Sequence, residues 1–239
     1  MIELPPLGAL GTSLWHVLLD LRGATDGWTL VGGQMVLLLA LEHETAPPRI
    51  SEDIDVVADV RARPPRMPRL VATLDAAGFV IGEPDPDGYS HRFQRDRIVV
   101  DLLVPDNAGA RAGVDTSDST RSTPVSGGTY ALQRTADVEV SVDDRTGLVP
   151  RPDLAGALVI KARAAVVDRR RGPDRHQRDL AFLCSLVARP LEVRRELGEK
   201  NCERIAGVTA LHDPTHAAWL ALPGGGFDAY AAFRLIAGV

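Results

Sequence analysis

Apolar residues recur at helical spacing from Leu7 through Leu10, Leu14, Val17 and Leu18 to Leu21, which predicts a helix over residues 7–22. After a break at 23–27, the run Trp28-Thr29-Leu30-Val31 predicts a short strand ending at Gly32-Gly33. The solid apolar stretch 35–41 predicts a buried helix over 34–41, and Pro47-Pro48 closes the connection to a second strand over 50–57. Segment 61–68, rich in Arg and Pro, reads as a loop, and 70–77 as a helix stopped by Gly78. Residues 79–81 and 91–93 predict strands around a Pro/Asp/Gly turn, and 97–104 a strong strand. The polar stretch 105–128 reads as a long loop and 138–142 as a strand. Beyond Pro150 and Pro152 the pattern is helical to the end. Asp153 caps a helix from Leu154 to about Val167, and helices over 175–188, 190–205 and 214–222 follow. Gly224-Gly225-Gly226 reads as a loop before a last helix. This order predicts an α/β (α+β) unit over 1–150 and a helical unit over 151–239.

Polar residues inside the apolar runs carry the chemistry. Asp53 and Asp55 interrupt the second strand, and strand alternation places both on one face. Adjacent carboxylates repel unless a cation sits between them. A hard metal beside a glycine turn suggests phosphate chemistry. Asp101 is the one charged side chain of its strand after Arg97. Buried there, it needs either an ion pair with an arginine or a place in a carboxylate trio with Asp53 and Asp55. If the two strands pair, the three side chains converge and suit one or two Mg²⁺ ions. Gly32-Gly33, at a strand-to-helix turn, lets backbone N–H groups approach phosphate oxygens, although a Gly-Gly pair is most often only a turn. Ser51, two residues before Asp53, shares that strand face and is either a phosphate contact or an exposed strand serine.

Composition narrows the field. The 239 residues, 45% hydrophobic and 25% charged, describe an ordinary soluble globular chain. No apolar run reaches the roughly 20 residues of a membrane span, and the N-terminus lacks the basic region of a signal peptide. Cys184 and Cys202 lie in predicted helices and need not pair, so a cytoplasmic protein without a membrane partner is expected. The net charge of −5 argues against a protein that coats nucleic acid. Two arginine clusters remain: Arg61, Arg63, Arg66 and Arg69 read as a solvated face, and Arg169, Arg170, Arg171, Arg175 and Arg178 as a local patch. Only Lys161 and Lys200 among 27 basic residues are lysines, which favours a need for lysine at 161 over a surface position. The six histidines show no metal-ligand spacing. Met35 and the three tryptophans read as core.

Gly32-Gly33, then Arg49-x-Ser51-x-Asp53-x-Asp55, then Asp101 between apolar residues, resembles the DNA polymerase β-type nucleotidyltransferase superfamily. The Arg-x-Ser-x-Asp-x-Asp form is more similar to the AbiEii/MenT toxins of that superfamily. Lys161 in its helix, the Arg169-Arg170-Arg171-Gly172 turn and Asp179-Leu180 continue the likeness in order, over roughly residues 28–185. Two features depart from it: the Gly33-to-Asp53 connection is lengthened by 42–48, and His176 stands where an acidic residue is common. The resemblance implies a nucleotidyltransferase core, a mixed β-sheet flanked by helices, with a helical C-terminal domain. It implies Mg²⁺ on Asp53, Asp55 and Asp101, with Asp101 also helping to deprotonate the acceptor. It implies a nucleotide triphosphate held by Gly32, Gly33 and Ser51, with Lys161 and Asp179 acting at the nucleotide. The expected acceptor is RNA such as the tRNA 3′ end, and the expected partner an antitoxin. Transfer to a small-molecule or protein hydroxyl, and a non-catalytic binding module of this fold, are the alternatives.

Overall fold

The computed structural model describes residues 1–64, 66–83, 89, 91–108, 122–168 and 174–239. The Arg169-to-Gly172 turn, the turn at 84–88 and most of the 105–128 loop therefore lie outside the described residues.

The first predicted helix forms as α1, Gly8–Ala24, and buries Leu14, Trp15, Val17, Leu18, Leu19 and Leu21. Strand β2, Trp28–Val31, is buried at every position and runs directly into α2, Gly32–Glu42. Helix α2 is apolar nearly all round because it is enclosed, with Met35 and Leu38 at 0% exposure. The carboxylate strand β3 is shorter than expected, Asp53–Ala58, so Ser51 precedes the strand instead of sharing its face. Helix α3, Met67–Ala76, is followed by β4, Val80–Ile81, and β5, Arg92–Arg95. Strand β6, Ile98–Pro105, buries all but one of its residues.

These strands form a mixed sheet in the order β2-β3-β6-β5-β4, with β7, Pro124–Val125, also paired to β6. Strand β3 lies antiparallel to β2 and parallel to β6. The three tryptophans and Met35 are buried, as their sequence setting suggests. A single apolar cluster runs from Leu4 to Ala237.

Further elements within the first 152 residues depart from the sequence expectation. Helix α4, Gly128–Gln133, ends the expected loop, and β9, Arg145–Pro152, runs through the prolines expected to punctuate the chain. Strand β9 pairs with β8, Thr135–Val142, and β1, Ile2–Glu3, completes a second sheet in the order β1-β8-β9. As an edge strand β9 tolerates proline, whose missing N–H faces no neighbour.

The remainder is helical. Asp153 caps α5, Leu154–Val167, by accepting from the Gly156 N–H at 2.9 Å. Helices α6, Asp174–Ser185, α7, Pro190–Ala206, α8, Ala217–Leu220, and α9, Phe227–Ala237, follow. Among the described residues no helix is long and apolar enough to cross a membrane. Cys184 and Cys202 are free and buried.

Candidate functional site

Strand register builds the site. Asp55 is the Cα partner of Val31 on β2 and of Asp101 on β6, and Asp101 is the partner of Arg92 on β5. One transverse row therefore reads Val31, Asp55, Asp101, Arg92 across four strands, on one face. Gly32 follows Val31 as the chain leaves β2. Its φ of +71° is open to glycine, and a Cβ there would lie 1.9 Å from Asp55 Oδ2. A Cβ on Gly33 would lie 2.4 Å from Ser51 Cβ. The Gly-Gly pair is thus required by the approach of β3 and the segment before it, whatever else it binds.

Ser51 Oγ donates to Asp53 Oδ1 at 2.6 Å, and Gln34 Nε2 on α2 donates to the Ser51 carbonyl at 2.6 Å. Ser51 therefore orients Asp53 while being held by α2. Of the two readings its sequence context left open, Asp101 shows the ion pair with an arginine. It lies beside Asp55, and it accepts two hydrogen bonds from Arg92: Nε to Oδ1 at 2.9 Å and Nη2 to Oδ2 at 2.7 Å. Among the described residues no three His, Cys, Asp or Glu side chains already stand together as a metal cage. The expected trio is not preformed, because Arg92 engages both oxygens of Asp101.

A cleft of about 850 Å³ opens over the row, within the roughly 300–1,000 Å³ of small-molecule sites. Its sheet wall carries Gly32, Asp55, Arg92 and Asp101. Its helix wall carries Lys161 and Arg163 from α5 and Arg175 and His176 from α6. Leu103, Val125, Ile160 and Val167 line an apolar part. Asp53 and Asp179 are not among the described lining residues.

Asp179 has no exposure and is paired with two cations, of which Lys161 lines the cleft. Lys161 Nζ donates to its Oδ2 at 2.7 Å, and Arg49 donates from Nε and Nη2 at 3.1 and 3.0 Å. Burial alone would raise the Asp179 carboxyl; Lys161 and then Arg49 outweigh it and hold the group below the usual carboxylate range. Burial likewise opposes the Arg49 charge, and Asp179, with Asp53 and Asp55 behind it, holds the guanidinium above its ordinary value. Lys161, 2% exposed, reaches the cleft only because this carboxylate makes its burial affordable.

Electrostatics single out Asp55. Burial first, then repulsion from Asp53 and Asp101, push its carboxyl up to about 6, against the pull of Lys161 and Arg175. A carboxylate held in such surplus negative charge is one that a cation stabilises. The sequence marked His176 only as a departure from the motif and gave no sign of its surroundings. Burial, with Lys161 next, pushes its imidazole down to about 4, and Nε2 lies 3.0 Å from Asp168 Oδ2. Arg92 was also missed, although Asp96-Arg97 as a two-residue hairpin turn would have set Arg92 opposite Asp101. No family model matches the chain, and no curated protein matches it in sequence.

Proposed function

We propose that the protein is a Mg²⁺-dependent nucleotidyltransferase that moves a nucleoside monophosphate from a nucleotide triphosphate to an RNA hydroxyl, such as the tRNA 3′ end. The observation that carries this reading is the in-register row of Asp55 and Asp101 beside the Gly32 turn, facing Lys161 across one cleft. The donor set fits a hard divalent cation: all-oxygen carboxylates, one of them raised by burial and then by like-charge repulsion. Asp53, Asp55 and Asp101 would hold it. Bound there, Mg²⁺ supplies charge stabilisation to the attacking and leaving oxygens.

The chain's own residues perform the rest. Backbone N–H groups at the start of α2 favour phosphate oxygens, aided by the helix dipole. Lys161, fixed by Asp179, neutralises phosphate charge from the opposite wall. The acceptor oxygen bonds to the α-phosphorus in line, the bond to the β-phosphate oxygen breaks, and pyrophosphate leaves. The acceptor proton passes to an Asp101 carboxylate oxygen, and positioning supplies much of the rate. Assignment to the toxin of a toxin–antitoxin pair rests on the motif resemblance alone.

Incubation with Mg²⁺, each α-labelled nucleotide triphosphate and total RNA tests the proposal. Label should appear in tRNA-sized RNA and be lost in Asp53→Ala. Absence of label in RNA with all four nucleotides would sink RNA as the acceptor. A second acceptor class, a small cationic molecule, is favoured by the net charge of −5. Label on such a molecule, with none on RNA, would establish it.

A further inference from the structure

The transverse row ends in an ion pair whose geometry bears on how a cation enters. Arg92 and Asp101 are cross-strand partners, and the guanidinium fork engages both carboxylate oxygens at 2.9 and 2.7 Å. The two ends of the pair differ in access. The Asp101 side chain is 6% exposed, whereas that of Arg92 is 39% exposed and lines the cleft. The acid is sealed into the sheet, and its counter-charge sits on the open side. Asp55, next along the row, gains no such partner among the described residues and carries the repulsion of its neighbours. A cation reaching Asp55 therefore meets an Asp101 whose two oxygens already accept from Arg92, and it competes with the guanidinium for their negative charge.

We propose that Arg92 is a resident counter-ion that competes with the metal for Asp101, so that metal binding returns the guanidinium to the cleft. This rests on the reading of Asp53, Asp55 and Asp101 as metal ligands. Arg92 is then a positioning residue with two states. Without metal it holds the buried acid neutralised, and with metal it faces the space where an anion would sit. A triphosphate that accepts the released guanidinium favours the second state, so metal and nucleotide bind with positive coupling. A fixed structural pair would give no such exchange, since its loss would only weaken the sheet.

Mn²⁺ binding to the full chain without nucleotide, followed by electron paramagnetic resonance of the free ion, separates the two. Arg92→Gln is expected to tighten Mn²⁺ by about three- to tenfold, the competition of one half-exposed, bidentate ion pair. Arg92→Lys, which keeps the charge but loses the fork, should tighten it less and provides a second variant should the glutamine form fold poorly. The gain should vanish in an Asp101→Asn background. A folded Arg92→Gln or Arg92→Lys protein with unchanged or weaker Mn²⁺ binding would overturn the exchange, as would an equal gain in the Asp101→Asn background. Wild-type Mn²⁺ binding that is indifferent to both Asp55→Asn and Asp101→Asn marks failure of the metal-site reading itself, and the exchange falls with it.

Discussion

Asp55 and Asp179 show how the same side chain is put to opposite use by its neighbours. Asp179 is buried between Arg49 and Lys161, which keep it ionised. Its replacement by asparagine leaves buried Lys161 and half-buried Arg49 without their hydrogen-bonded carboxylate. Asp179→Asn should cost about 3–5 kcal/mol of stability, read by urea denaturation, as for other broken buried ion pairs. A loss below 1 kcal/mol, on the order of an exposed pair, would contradict the buried network. Asp55 is raised to about 6 from an ordinary 3.8 by burial and by Asp53 and Asp101. Its contribution to folding is full below about pH 4 and is lost as pH rises through 6. Metal-free Asp55→Asn should therefore be more stable than wild type at pH 7.5, by about 1–2 kcal/mol once the cleft's solvent is allowed for. The gain should open between about pH 4 and pH 6, stay constant above, and be matched in wild type by added Mg²⁺. Thermal unfolding across pH checks this, and a difference that is the same at pH 3.5 and 7.5 would contradict the cause assigned.

At the scale of elements, the site is a junction of β2, α2, β3 and β6, and glycine makes the junction close enough. Gly33→Ala drives a methyl group into Ser51 and must displace the segment before β3. The cost should be about 1–3 kcal/mol of overpacking, accompanied by loss of transferase activity through Asp53, whose oxygen Ser51 holds. Full activity in Gly33→Ala would show that the close approach is dispensable. A substitution on the far side of α5 gives the contrast. Asp153→Ala removes the helix cap and should cost roughly 1 kcal/mol or more, since Asp153 also pairs with Arg134, with activity retained below the melting transition. The strands that carry Asp55 and Asp101 were legible because apolar alternation and β-branched runs mark buried strands. Strand β9 was hidden because its prolines read as breaks, and only an edge position reconciles them with a strand. The start of β3 at Asp53 was missed because nothing in 50–52 signals that the backbone has not yet joined the sheet.

At the scale of the whole molecule, a negatively charged chain concentrates its opposing charges on the two walls of one cleft. The sheet side gathers carboxylates through register, and α5 and α6 supply Lys161, Arg163 and Arg175. The carboxylates were legible as chemistry from the sequence, because spacing of two on a strand is a local property. The ion pairs that govern them were not. Arg92 with Asp101, and Arg49 and Lys161 with Asp179, depend on which strands and helices meet, and pairing of distant segments leaves no periodic trace. The reach of this arrangement is a claim about which phosphorus is attacked. It is tested most directly by supplying the protein with Mg²⁺, RNA and nucleotide triphosphate labelled in parallel at the α- and γ-phosphates. α-Label should join the acceptor and γ-label should leave in pyrophosphate, with both lost in Asp55→Asn. Transfer of γ-label to the acceptor, or α-label transfer that survives in Asp55→Asn, would contradict it.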